Sequence, residues 1–394
     1  MTAPTAAVPQ PRPAAILSPI IDLLCVGGLS VVVLVPLLLF GGDELGFVGI
    51  GAVVWAQLLV NMSHFMASYR IVYRDREMIR RHKWAAIWVP LILTGFAGLA
   101  LVEARESEQP ILLLLFFVVS SGYLAWHYTG QVWGMMASFA WLAGTGFDAL
   151  ERKLIRGSLR ILLVWHVTWF LNFWLSRTAS PLGEPVALLY QAATAASALA
   201  FVLGTLGLLR MTRRTGKLPP LRTVVPWLAI FVWYAAILRW GLTGLFLVQL
   251  AHAIQYLGFP ARVELNRVTA AAAGRAAGRM AIYAIGLLLA AFLVTLVVPG
   301  PPMSILASSL GVEPGRVAPI LIFYFINIHH YFTDGVIWKI SNPEVRRELF
   351  AHVEAERRKG ATAQAEEARR QGGKEARRQS RDGKTQRRKD AKRK

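Results

Sequence analysis

The sequence predicts an all-α, polytopic integral membrane helix bundle of about ten spans, and three observations carry that reading. Of 394 residues, 55% are hydrophobic and only 17% are charged, against about 25% charged in a soluble domain. The mean hydropathy is +0.45, too apolar for a water-soluble surface. Stretches near the ~20 residues that take a helix across a bilayer recur from end to end. Lys and Arg, finally, collect in alternate loops. Two-domain soluble enzymes, disordered chains and collagen-like chains are excluded by composition alone. A helix satisfies every backbone polar group within one segment, so long apolar runs in hydrocarbon are helical.

Residues 1–15 form a short Pro/Ala-rich tail with one basic residue, Arg12. The run 16–40 is too long for a signal-peptide core and lacks a small-residue cleavage site, so it reads as a retained helix. It holds Cys25, the single cysteine, which excludes an intramolecular disulfide. Further spans are predicted at 46–68, 85–102, 110–135, 158–176, 185–209, 223–239, 242–259, 280–299 and 317–338. The bundle thus covers 16–340. No repeat relates its two halves, which weighs against an inverted-repeat transporter.

Orientation follows from the basic residues. One set of loops holds 18 of them, from Arg70 to Lys83, Arg152 to Arg156, Arg210 to Arg222 and Arg262 to Arg279. The opposite set holds four, Arg105, Arg177, Arg239 and Arg316. Both termini are therefore expected in the cytoplasm, with the protein in a bacterial inner (cytoplasmic) membrane.

The tail divides in two. Residues 341–359 start with Asn-Pro, carry early Glu and an apolar stripe, and predict an interfacial helix. Residues 360–394 lack aromatics and predict disorder. From Val353 onward the chain has 16 Lys/Arg and 7 Asp/Glu, so anionic lipid headgroups are the expected partner. Nucleic acid is disfavoured because no aromatic interleaves with the charge for bases to stack on.

Eight histidines occur. His82 and His352 fall outside the spans and read as surface residues. The other six lie in spans, where ionisable groups by default suggest function. At 1.5 Å rise per residue, His64, His127, His166, His252, His329 and His330 all fall in the cytoplasmic half of a ~30 Å core. Polar companions sit three or four residues away, on the same helical face: Asn61 for His64, Gln131 for His127, Gln249 and Gln255 for His252, Asn327 and Asp334 for His330. Metal-bound imidazoles commonly give their other nitrogen to such groups. His166, among apolar and aromatic neighbours (LVWHVTWF), reads as a packing residue. The expected metal set is His64, His127, His252, His329 and His330, with Asp334 as a ligand or its support. Asn61, Gln131, Gln249, Gln255 and Asn327 stand behind it.

Imidazoles with an occasional carboxylate suit iron, copper or zinc rather than magnesium or calcium. Four to six imidazoles near one leaflet fit a lipid- or isoprenoid-modifying oxidoreductase, supplied with electrons by a partner because no nucleotide-binding signature is present. Membrane oxygenases of that kind space histidines as HxxxH, and no HxxxH occurs here. Haem held by two histidines on facing helices is the second expectation. A proton-coupled transporter using the histidines and Asp334 as a relay, or a protein without catalytic activity, is the third.

Overall fold

A computed structural model describes residues 15–42, 50–107, 111–177, 180–297, 314–339 and 342–391. It contains helices and no strand among the described residues. In chain order these are α1 (Pro19–Leu23), α2 (Leu29–Phe40), α3 (Ile50–Val72), α4 (Arg76–Arg81), α5 (Val89–Glu106), α6 (Ile111–Leu142) and α7 (Ala149–Leu175). Then come α8 (Gly183–Thr215), α9 (Leu221–Trp240), α10 (Leu242–Ala272), α11 (Ala276–Phe292), α12 (Pro314–Ile337), α13 (Pro343–Leu349) and α14 (Ala351–Ala391). Wider π-helical turns at Leu24–Gly28, Trp84–Trp88 and Leu293–Val297 join or extend three of them.

The chain is an all-α polytopic bundle. Eight helices among the described residues are long and apolar enough to cross a membrane. The helices α3 and α12 have 23 and 24 residues, the length a span needs, and parts of both lie outside the residues whose side chains are described. Large apolar side chains such as Ile20, Val32, Leu91, Leu188 and Ile282 face outward. Water would penalise that surface, whereas lipid tails do not.

Several helices outrun the predicted spans. The helix α7 starts at Ala149 rather than 158, and α10 continues to Ala272 rather than 259. Basic residues end an apolar run without ending a helix, because Arg and Lys are themselves good helix formers. Caps end helices instead. Asp148 accepts from the backbone N–H of Glu151 at 2.8 Å, while Glu151 accepts from that of Asp148 at 2.8 Å, a reciprocal capping box. Arg214 and Arg210 on α8 then bind Glu151 at 2.7 Å and Asp148 at 3.1 Å, which ties α7 to α8.

The core is rich in tryptophan. Trp165, Trp227 and Trp233 are buried, and each indole N–H donates to a hydroxyl: Thr194 at 3.0 Å, Ser158 at 3.1 Å and Ser30 at 2.9 Å. In hydrocarbon such interhelical bonds contribute roughly 0.6–2 kcal/mol each. Gly204 permits the closest α8–α9 approach, since a Cβ there would lie 2.3 Å from the Trp227 ring. Gly27 does the same near the N-terminus. Its φ of +127° suits glycine, and a Cβ would stand 2.6 Å from that of Ala229.

The entry to the bundle is locked by a buried ion pair absent from the sequence-based site. Asp22 accepts from the backbone N–H groups of Ile16 and Leu17, both at 2.8 Å, and from Arg222 Nη1 at 3.1 Å. Arg222 also lies over the Phe139 ring, 5.5 Å from its centroid.

Residues 346–394 form a separate unit. Where composition predicts disorder after Gly360, the structure continues as helix α14 to Ala391. Its composition of Ala, Gln, Glu, Lys and Arg has high helix propensity. From Glu354 to Lys374 every residue is exposed, so propensity and not packing holds that stretch.

Candidate metal centre

Four helices bring one polar face each to a common point. On α3 the sequence reads Asn61, then His64 three residues on, then Ser68 four further. The same amide–His–polar spacing recurs as Gln249, His252 and Tyr256 on α10, and as Asn327, His330 and Asp334 on α12. Intervals of three and four residues align side chains on one helix face. Helix α6 contributes His127 and Gln131. All of these except Gln131 are buried.

The imidazoles meet. The His64 ring lies 4.3 Å from His330, 5.2 Å from His252 and 6.2 Å from His127. His127 lies 4.8 Å from His252 and 5.0 Å from His330. One ligand atom from each of His64, His127, His330 and Asp334 lies within 4.8 Å of all the others. Asp334 Oδ2 is 3.3 Å from His330 Nε2 and 3.7 Å from His127 Nε2. Ligand atoms held tetrahedrally at ~2.0–2.1 Å stand about 3.3 Å apart. The His330–Asp334 separation already fits, and the His127–Asp334 separation is a few tenths of an ångström longer.

Second contacts aim these donors. His64 Nδ1 lies 3.2 Å from Asn61 Oδ1. Because that oxygen can only accept, the ring proton sits on Nδ1 and the lone pair of Nε2 is left for the centre. Asp334 is divided in the same way. Its Oδ1 accepts from Ser68 at 2.8 Å and Tyr256 at 2.9 Å, while Oδ2 faces the imidazoles. Trp338 Nε1 donates to Tyr256 Oη at 2.6 Å, fixing that hydroxyl. His64 Nε2, His127 Nε2 and both ring nitrogens of His252 and His330 have no hydrogen-bond partner among the described residues. Buried polar atoms are normally satisfied, and exceptions call for an explanation. A cation can take one nitrogen from each of His64, His127 and His330, and both nitrogens of His252 and the second of His330 lie outside that set.

The structure does not bring every expected residue to this point. His329 turns away: its Nε2 pairs with the Ala85 carbonyl at 2.9 Å, and its ring packs on Tyr69 at 5.0 Å. Consecutive helical residues diverge by about 100°, so His329 and His330 cannot share one compact site. The amides behave unequally too. Gln131 donates to the His252 backbone carbonyl at 3.3 Å and to Gln255 at 2.9 Å, and Gln255 donates to the Val26 carbonyl at 2.7 Å. Asn327 Oδ1 accepts from Tyr331 Oη at 3.1 Å. These three position backbone and neighbouring rings rather than a ligand imidazole. Gln249 lines the small space beside the cluster, with Asn61, Leu124, Tyr128 and Tyr331.

Ser68, Tyr256 and Trp338 were not singled out as site residues by sequence reasoning. Their signal was present: each follows His64, His252 or Asp334 by four residues. Outside the spans, His82 is partly buried rather than fully at the surface, and that burial, followed by the neighbouring Arg81 charge, lowers its pKa. Compared with known proteins, the chain matches no family model, no curated protein and no solved structure.

Proposed function

We propose that this protein is a metal-dependent membrane enzyme whose centre takes iron, copper or zinc from three imidazoles and one carboxylate. The observation that carries the reading is the convergence of His64, His127, His330 and Asp334 from α3, α6 and α12, with imidazole nitrogens that have no other partner. Nitrogen-rich sets with one carboxylate suit these metals, and a set of two His and one carboxylate with open positions suits non-haem iron. His252 packs against the same rings and against Tyr128.

Haem is a poorer fit. Four rings within 4.3–6.2 Å of one another leave no room for a porphyrin between any two. A substrate from the lipid phase suits a centre enclosed by spanning helices, and the chemistry such a metal supplies when bound is Lewis-acid or redox. An oxidoreductase role would draw electrons from a partner.

The test is metal analysis of detergent-purified protein with an optical spectrum. The expected result is near one iron, copper or zinc per chain without a Soret band, held more weakly and so at lower occupancy as purified in His64→Ala, His127→Ala and His330→Ala. Wild-type protein without transition metal after growth in metal-replete medium, or with a Soret band, contradicts the proposal.

A further inference from the structure

Polar groups continue beyond the histidine cluster into the neighbouring helices. Tyr128 on α6 is fully buried, with its ring 4.4 Å from His252 and 5.9 Å from His166 on α7. The His166 ring, also fully buried, lies 5.4 Å from Tyr234 on α9. Neither tyrosine hydroxyl and neither nitrogen of His166 has a hydrogen-bond partner among the described residues. The adjoining indoles cannot serve them, because Trp165 and Trp233 donate to Thr194 and Ser30.

Unmet polar groups are costly in hydrocarbon. Phe at 128 and 234 and Leu at 166 would fill nearly the same space without that cost. Three such residues on three helices, touching in sequence, are therefore not ordinary packing. We infer that His166, Tyr128 and Tyr234 form a second buried polar site that holds ordered water. A buried water typically makes about three hydrogen bonds to otherwise unsatisfied groups. Each hydroxyl offers one donor and acceptor lone pairs, and the neutral imidazole offers one donor and one acceptor on opposite sides of its ring. One water can therefore serve a single His166 nitrogen together with a tyrosine hydroxyl, and a second is needed for the other nitrogen.

The water site and the histidine cluster share a wall, the ring of Tyr128, with His252 on its other side. Water held there gives the metal centre a nearby supply of its simplest exchangeable ligand. This service rests on the proposed metal centre; the water site itself rests on its own unpartnered groups. His166 becomes a ligand-binding residue rather than the packing residue its sequence context predicts.

The experiment is an experimental structure of the full-length protein at a resolution that shows water, paired with thermal melts and metal content of His166→Leu and Tyr234→Phe. The inference predicts density within hydrogen-bond distance of His166 and at least one of the two tyrosine hydroxyls. It also predicts melting several degrees lower in both variants, with wild-type metal content. A dry cavity, or variants that melt at or above wild type, overturns it, because removing groups that truly lack partners relieves a cost. Should His166→Leu not fold, Tyr234→Phe, which deletes a single oxygen, decides by the same criterion. Ordered water in a protein that binds no metal retains this site and rejects the metal centre.

Discussion

At the scale of the residue, orientation separates ligands from bystanders. His329 and His330 are neighbours in sequence, yet only His330 faces the cluster, while His329 bonds the Ala85 carbonyl. His329→Ala is therefore expected to leave metal content unchanged and to destabilise the bundle by more than the ~0.5–1.5 kcal/mol of a lost hydrogen bond, since the ring packing on Tyr69 goes with it, read from metal analysis and thermal melting. Asn61→Ala is expected to weaken metal affinity roughly 10–100-fold, the usual effect of losing a group that orients an imidazole, in a competition titration with a chelator. An unchanged affinity would show that Asn61 does not aim His64. A separate residue-scale test lies at Asp22, buried and paired with Arg222. Arg222→Ala leaves a buried carboxylate without its cation, so a loss of about 3–5 kcal/mol is expected; a melting temperature within a degree of wild type would refute this account of the N-terminal lock.

At the scale of the element, helix-face spacing was legible in the sequence and side-chain direction only partly so. Intervals of three and four residues in the sequence alone place Asn61, His64, Gln249, His252, Asn327, His330 and Asp334 on shared faces. Which nitrogen or oxygen each amide bonds depends on the neighbouring helix, so the spacing alone points Gln131, Gln255 and Asn327 at the imidazoles, whereas they bond carbonyls, each other and Tyr331. The Asp22–Arg222 pair, separated by 200 positions, leaves no local signal at all. Helix ends were misjudged where charge interrupts hydropathy, as at Ala149. Close approach of elements makes its own prediction: Gly27→Ala must adopt φ near +127° and displace Ala229. It is expected to destabilise the bundle by about 1–3 kcal/mol, and wild-type melting would contradict the tight packing of the Leu24–Gly28 turn on α9. At the N-terminus of α7, the backbone N–H of Glu151, followed by Arg210, holds the Asp148 carboxyl below its ordinary pKa. A lowered pKa stabilises the cap above the unfolded-state value. Protection of the first-turn amides of α7, taken relative to their intrinsic exchange rate at each pH, is expected to fall only as pH drops through and below the usual carboxylate range.

At the scale of the whole molecule, the fold class follows from hydropathy, and the site follows from convergence across spans that no single-segment motif records. The 18-to-4 split of basic residues between alternate loops predicts that reporter fusions after Gly216 and after Ser180 lie on opposite sides of the membrane, with Gly216 cytoplasmic. The exposed basic helix α14 is expected to bind anionic vesicles and release them as salt rises, since charge attraction is screened within a Debye length. The central claim is that three imidazoles and a carboxylate from separate helices hold one metal ion. X-ray absorption spectroscopy of the purified, metal-loaded protein tests it most directly. The account predicts a nitrogen/oxygen shell near ~2.0–2.1 Å for a zinc-like ion, outer-shell scattering from about three imidazoles, and loss of one imidazole's scattering in His64→Ala. A bound metal without imidazole scattering, or a spectrum unchanged in His64→Ala, would contradict it.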